Sequence, residues 1–195
     1  MALLRAGRRF DLGVVGPYDK FFFAILAEGE ARRAAWALAS EEQLRLGRPD
    51  YRTPERCLHI SLVMIAFGFS VWEPLLVRAA EAADRIRMRN FRISLNRIES
   101  FRGAPRPRVL TGDEGVIGLD LLHAQLCAVL AAADFDVKRI ANFNAHLTLM
   151  RDRRETPLQH VDPITWDAGE FVLVHSHHGQ GRYTILERWP LASRG

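Results

Sequence analysis

Two stretches of this chain repeat one arrangement of chemically active side chains: His59-Ile60-Ser61-Leu62 and His146-Leu147-Thr148-Leu149. Each reads histidine, aliphatic, hydroxyl, leucine. Imidazole exchanges a proton near neutral pH, and a neighbouring hydroxyl donates a hydrogen bond without carrying charge. Side chains on an extended strand alternate faces, so His59 and Ser61 point one way while Ile60 and Leu62 point the other. The same holds for His146 and Thr148 against Leu147 and Leu149. Composition predicts roughly 0.1 matches to this pattern among the seven histidines, so finding it twice points to selection rather than chance. Facing each other, two such strands would supply a base for a nucleophile, an acid for a leaving oxygen and two donors for non-bridging oxygens, which together suit phosphodiester chemistry without a metal. Ser61 or Thr148 as a nucleophile is the rival enzymatic reading. Both hydroxyls lie in regular strand patterns that lack the Gly-x-Ser-x-Gly elbow of a serine hydrolase.

Larger elements must carry these strands. The run Phe21 to Leu26 predicts a buried strand, and Ala31, Ala34, Ala35, Leu38 and Leu44 predict an amphipathic helix from Glu28 to about Leu46. A loop with Pro49 and Pro54 leads into a strand from Cys57 to Met64. A helix over 72–87 and a half-exposed strand over 89–98 follow. After the turn at Gly103-Ala104-Pro105, short strands are predicted at Arg108–Leu110 and Gly115–Gly118, then a helix from Leu119 to Ala133 and a strand from Ala145 to Met150. The tail reads as a hairpin, Phe171 to His175 and Tyr183 to Trp189, around Gly179 and Gly181. Strands outnumber helices without alternating strictly with them, so the class is α+β with antiparallel sheets. A strand–helix–strand pattern ends near residue 63 and again near residue 150, which suggests two lobes facing each other. Residues 1–19, basic and dotted with glycine, are expected to be a loose N-terminal segment, and 20–195 a single two-lobed domain.

The composition is that of a packed soluble chain: 195 residues, 48% hydrophobic, 26% charged, net charge +4, which excludes disorder or fibre as the main account. Of the 27 basic residues all but Lys20 and Lys138 are arginine, a side chain suited to bidentate phosphate recognition and also a product of base composition. Cys57 and Cys127 match neither a disulfide framework nor a zinc spacing and read as reduced thiols. No leader or membrane span is visible, so the expected location is cytoplasmic. His175, His177 and His178 could bind a transition metal only if the strand extends that far; a hairpin turn is the preferred reading, and no metal or other cofactor is expected.

The doubled motif resembles that of the two-histidine (2H) phosphoesterase superfamily, and within it the 2′-5′ RNA ligase family, also described as RNA 2′,3′-cyclic phosphodiesterases. The similarity extends to the Phe21–Leu26 strand, Phe67-Gly68, Pro107-Arg108-Val109-Leu110, Arg151-Asp152 and the ending Gly181-Arg182-Tyr183-Thr184-Ile185-Leu186-Glu187-Arg188-Trp189-Pro190-Leu191. Family members often have a proline where this chain has Ala145 and a basic residue where it has Val63. The resemblance implies a bilobal fold in which two antiparallel sheets, with helices outside, flank a central cleft carrying one motif on each side. It implies hydrolysis of a 2′,3′-cyclic phosphate on an RNA end or nucleotide to a 2′-phosphate, with reversible 2′-5′ ligation as a related activity. A monomer is the expected working unit. The resemblance assigns His59 as proton donor, His146 as proton acceptor, Ser61 and Thr148 as phosphate-binding and Arg151 as RNA- or nucleotide-binding. The alternative reading is a non-catalytic RNA- or nucleotide-binding module on the same fold.

Overall fold

The first strand, β1 (Lys20–Leu26), is apolar on both faces because two different layers claim it. Phe21, Phe23 and Ile25 enter the main core, while Phe22 and Ala24 join a smaller cluster with Val172 and Val174. Burial on both faces is why a continuous apolar run specifies a strand inside a sheet. The computed structural model describes residues 7–47, 49–113, 115–137 and 143–193. After β1 come α1 (Gly29–Leu46), β2 (Tyr51–Arg52), β3 (His59–Phe67), α2 (Glu73–Ala83), β4 (Phe91–Ser100), β5 (Arg106–Thr111), α3 (Ile117–Ala131), β6 (Leu147–Asp152), β7 (Gln159–Ala168), β8 (Glu170–His177) and β9 (Arg182–Pro190).

The fold is α+β, and its strands pair antiparallel in the order β7-β4-β5-β6-β3-β1-β8-β9, with β2 added to β6. The two sheets expected on either side of a cleft are two halves of one sheet. They meet between β3 and β6 at a single residue pair, Ile60 with Leu147. The helices brace this narrow junction. α1 follows β1 in one half yet packs against β6 and β7 in the other, and α3, which follows β5, packs against β3 as well as β4.

The sequence of α1 shows how that bracing works. Ala31, Ala35 and Ala39 recur every fourth residue and are buried, so the helix can lie close to the sheet. The next position on that stripe is Glu42, buried and charged. Its carboxylate accepts a hydrogen bond from Arg108 Nη1 of β5 at 2.6 Å and one from Arg45 Nη2 at 2.8 Å. The Arg108 side chain is only 1% exposed, so this pair ties helix to sheet inside the core.

The structure departs from the sequence expectations at three further places. Gly115–Gly118 is a turn and the first residues of α3, not a strand. The glycines are there for close approach: a Cβ on Gly118 would lie 2.2 Å from a ring carbon of Phe91. β7 was not anticipated at all, because Asp162 and Pro163 interrupt its pattern. It is an edge strand, where a residue without an N–H costs no internal ladder bond, and Ile164 and Trp166 pair with Leu95 and Ile93 of β4. Finally, residues 7–19 of the segment expected to be loose are anchored; residues 1–6 lie outside the described residues. The buried Arg8 guanidinium bonds the Asp84 carboxylate at 3.1 Å and lies 3.3 Å from Glu187, and the Phe10 N–H donates to Glu73 at 2.9 Å. Among the described residues no helix is long and apolar enough to cross a membrane.

Candidate active site

His59 opens β3 after a short 3-10 turn, Glu55–Cys57, and His146 stands one residue ahead of β6. Both strands therefore begin later than the hydropathy pattern suggests, and each histidine sits at a strand threshold. The local geometry repeats. His59 Nδ1 lies 2.8 Å from the Cys57 carbonyl oxygen, and His146 Nδ1 lies 2.7 Å from that of Asn144. A carbonyl only accepts, so each ring carries its hydrogen on Nδ1 and, when neutral, leaves its lone pair on Nε2. At His59 that lone pair accepts a hydrogen bond from the Ser61 hydroxyl at 2.9 Å.

The junction of the sheet brings the two motifs together. Ile60 and Leu147 are the second residues of the two motifs, so the antiparallel pair they form relates the motifs by an approximate local two-fold. Both aliphatics face the core, and alternation directs His59, Ser61, His146 and Thr148 to the opposite side. There the four residues line one cavity of about 460 Å³, together with Arg151 and Tyr183. All five residues singled out in the sequence thus share a site. A larger cavity, about 630 Å³ between residues 84–89 and the end of β9, is lined by no histidine.

Apolar rings surround the imidazoles. Phe22 lies 5.0 Å and Tyr183 5.3 Å, centroid to centroid, from His59, and Phe101 lies 4.9 Å from His146. Burial accordingly disfavours the imidazolium. It pushes the His59 pKa down to about 4, against the pull of the Cys57 carbonyl, with the charges of His146 and Lys20 adding to the depression. His146 is also lowered, first by burial and then by the guanidinium of Arg151, against the Asn144 carbonyl and Glu99. In the free protein near pH 7 both rings are neutral.

Tyr183 is a site residue that the sequence reading did not single out. Its hydroxyl oxygen lies 3.2 Å from His59 Nδ1 and shares that N–H with the Cys57 carbonyl. Burial raises its pKa, so the hydroxyl keeps its proton. Period-two alternation through the closing Tyr183-Thr184-Ile185 run was the available signal; which strand would lie beside His59 was not. Arg151 is half-buried on β6, between Tyr51 of β2 and Pro107 of β5. Cys57 also lines the cavity, but its thiol donates to the Gly181 carbonyl at 3.3 Å and burial raises its pKa, which keeps it protonated and a poor nucleophile.

The expectation of a turn at His175–His178 is corrected in part. β8 pairs with β9 as far as His177 with Arg182, so the turn begins only at His178. His175 and His177 lie on the strand and share its core face, where His175 stacks on Phe21 at 4.2 Å.

One cavity thus brings together the two imidazoles and two hydroxyls of the repeated motifs, on a sheet built as two halves. Residues 32–180 match the model of the 2′-5′ RNA ligase superfamily, and the chain belongs to that superfamily of two-histidine phosphoesterases. Among solved structures, Escherichia coli LigT complexed with 3′-AMP is 25% identical, with a TM-score of 0.74 over 89% of this chain and 98% of that one. LigT complexed with ATP is 24% identical with a TM-score of 0.71, covering 90% of this chain and 99% of its own. TT0787 of Thermus thermophilus shares the fold at 23% identity and a TM-score of 0.71, over 90% of this chain and 100% of its own. No curated protein matches the chain.

Proposed function

We propose that this protein hydrolyses 2′,3′-cyclic phosphate ends of RNA or nucleotides to 2′-phosphomonoesters. The observation that carries this reading is the duplicated placement of two imidazoles, each fixed through Nδ1 to a carbonyl two residues back, in one cavity. His146 Nε2 takes a proton from water as the water oxygen attacks phosphorus. The bond from phosphorus to the 3′-oxygen breaks, and His59, protonated in the complex, delivers its Nε2 proton to that oxygen. The 2′-phosphomonoester leaves, and proton exchange with solvent restores the two rings. Donor and acceptor are assigned by the family resemblance, since the local geometry of the two histidines is nearly the same.

Ser61 and Thr148 donate to the non-bridging oxygens as negative charge builds on them. Binding phosphate requires the Ser61 hydroxyl to turn away from His59 Nε2, which frees that nitrogen to carry a proton. Arg151 adds positive charge on the His146 side and holds the phosphate or nucleotide. These steps use proton transfer alone and route nothing through a metal. The protein works as a monomer, and ligation uses the same in-line attack with a 5′-hydroxyl in place of water: His146 takes the hydroxyl proton, the new bond to phosphorus makes a 2′-5′ linkage, the bond to the 3′-oxygen breaks, and His59 protonates that oxygen. LigT has been solved with 3′-AMP and with ATP, which supports a nucleotide as the ligand class.

Phosphorus NMR of cytidine 2′,3′-cyclic phosphate incubated with the protein tests this. A 2′-phosphate product is expected. A dominant 3′-phosphate would reverse the roles of the two histidines, and binding without turnover would favour a non-catalytic nucleotide-binding module.

A further inference from the structure

Beside the catalytic cavity, three ligand-type side chains converge, none of which takes part in the proposed chemistry; His177 alone of the three also lines part of that cavity. His175 and His177 are two residues apart on β8 and therefore share a face, with ring centroids 3.9 Å apart. Asp19, just before β1, meets them there. Its Oδ2 lies 2.8 Å from His175 Nε2 and 3.9 Å from His177 Nδ1, and the three donor atoms all fall within 4.8 Å of one another. All three residues are buried, at 3%, 1% and 8% exposure for Asp19, His175 and His177.

The hydrogen bonds around this cluster are those a metal site needs. His177 Nε2 is paired with Thr184 Oγ1 at 2.8 Å, which leaves Nδ1 aimed at the carboxylate from beyond hydrogen-bond range. Asp19 is held in place by backbone donors: the His178 N–H reaches Oδ1 at 2.9 Å and the Gly16 N–H reaches Oδ2 at 3.0 Å. Metal bonds of about 2.1 Å to nitrogen and oxygen place tetrahedral donors roughly 3.4 Å apart. The two donor separations from Asp19 Oδ2, 2.8 and 3.9 Å, bracket that value. A cavity of about 440 Å³ lined by Asp19, His177, Thr184, Asp11, Gly16 and Arg182 adjoins the cluster and gives room for an entering ion and a fourth, water ligand.

We infer that Asp19, His175 and His177 form a binding site for a divalent first-row transition metal of the zinc type. The ion takes the place of the hydrogen between His175 Nε2 and Asp19; a neutral His175 then carries its one N–H on Nδ1, and His177 binds through Nδ1 with its Nε2–H on Thr184. Two neutral imidazoles and one carboxylate are a donor set that favours zinc over magnesium or calcium. Bound there, the ion clamps the N-terminal loop to the hairpin whose turn borders the catalytic cavity. Its role is structural, and it is separate from the proton-transfer chemistry.

The test uses the full chain without a histidine tag, stripped with chelator and titrated with Zn²⁺ by calorimetry. One equivalent is expected, and at Zn²⁺ about 100-fold above Kd the thermal midpoint should rise by roughly 8 °C. His177→Phe, which keeps an aromatic ring on the strand, should abolish the equivalent. Co²⁺ on the wild-type protein should give the intense visible bands of a four-coordinate site, a readout that stands even if the variant does not fold. No saturable Zn²⁺ binding, a Co²⁺ spectrum like that of the aqueous ion, or undiminished binding by a folded His177→Phe would each overturn the assignment.

Discussion

His59 and His146 stand in surroundings that disfavour charge, yet the proposed reaction needs one of them protonated, and pH is the perturbation that exposes this conflict. With the His59 pKa held down to about 4, its ring is charged in about one free molecule in a thousand at pH 7. His146 is lowered from 6.5 as well. Because kcat/KM reports the free enzyme, its profile should be a bell whose acid limb lies near pH 4 and whose alkaline limb lies below 6.5. Above that limb it should fall tenfold per pH unit. A cyclic phosphate brings one negative charge between the rings. At about 4 Å and an effective dielectric of about 20, that charge favours an imidazolium by about 4 kcal/mol, or roughly three pKa units. This is enough to carry His59 into the neutral range, so both limbs of kcat should lie at higher pH than those of kcat/KM. The assay is initial rates on cytidine 2′,3′-cyclic phosphate from pH 4 to 9, with the His59 ring titrated by NMR with and without inorganic phosphate. An alkaline limb of kcat/KM above pH 7, or coincident limbs for the two parameters, would refute the electrostatic argument. The sign for stability follows from the same shifts. The unfolded chain takes up these protons near 6.5 and the folded chain only below it, so folding is fully supported above 6.5 and loses stability as pH falls toward 4.

Other outcomes are expected from the same geometry. His59→Ala and His146→Ala should each lower turnover by about 10²–10⁴ with circular dichroism unchanged, and Ser61→Ala or Thr148→Val by less, because each removes one donor of a set; a near wild-type rate in either histidine variant refutes the paired mechanism. Tyr183→Phe removes the second acceptor on the His59 N–H, and should lower kcat about tenfold while moving the His59 titration; an unchanged NMR titration would deny the contact a positioning role. Glu42→Gln leaves the Arg108 guanidinium buried without its carboxylate and should cost about 3–5 kcal/mol in urea unfolding; a loss below 1 kcal/mol would show that Arg108 finds water or another partner. Turnover should persist in excess EDTA even where the thermal midpoint falls, and a loss of rate restored by zinc would place the metal in the chemistry instead.

Period-two alternation at His59–Leu62 and His146–Leu149 is a local property, and it sufficed to place two imidazoles and two hydroxyls on one side of their strands with aliphatics on the other. Likewise, the alanine and leucine spacings of α1 and α3 and the apolar run of β1 are visible in the chain, because burial by neighbours follows from periodicity. Periodicity carries no information about which strands become neighbours. That β3 and β6 touch at one pair, Ile60 with Leu147, was decided by the helices α1 and α3 crossing between the halves. β7 is not legible in the sequence because Pro163 is acceptable only at an edge, and edge position is a property of the finished sheet. Tyr183 came to His59, and Asp19 to His175, across more than 120 residues of chain, and no local spacing encodes such a meeting. The depressed pKa values belong to the tertiary structure too, since a histidine in an unfolded chain is solvated and titrates near 6.5, and only packing against Phe22, Tyr183 and Phe101 removes that water.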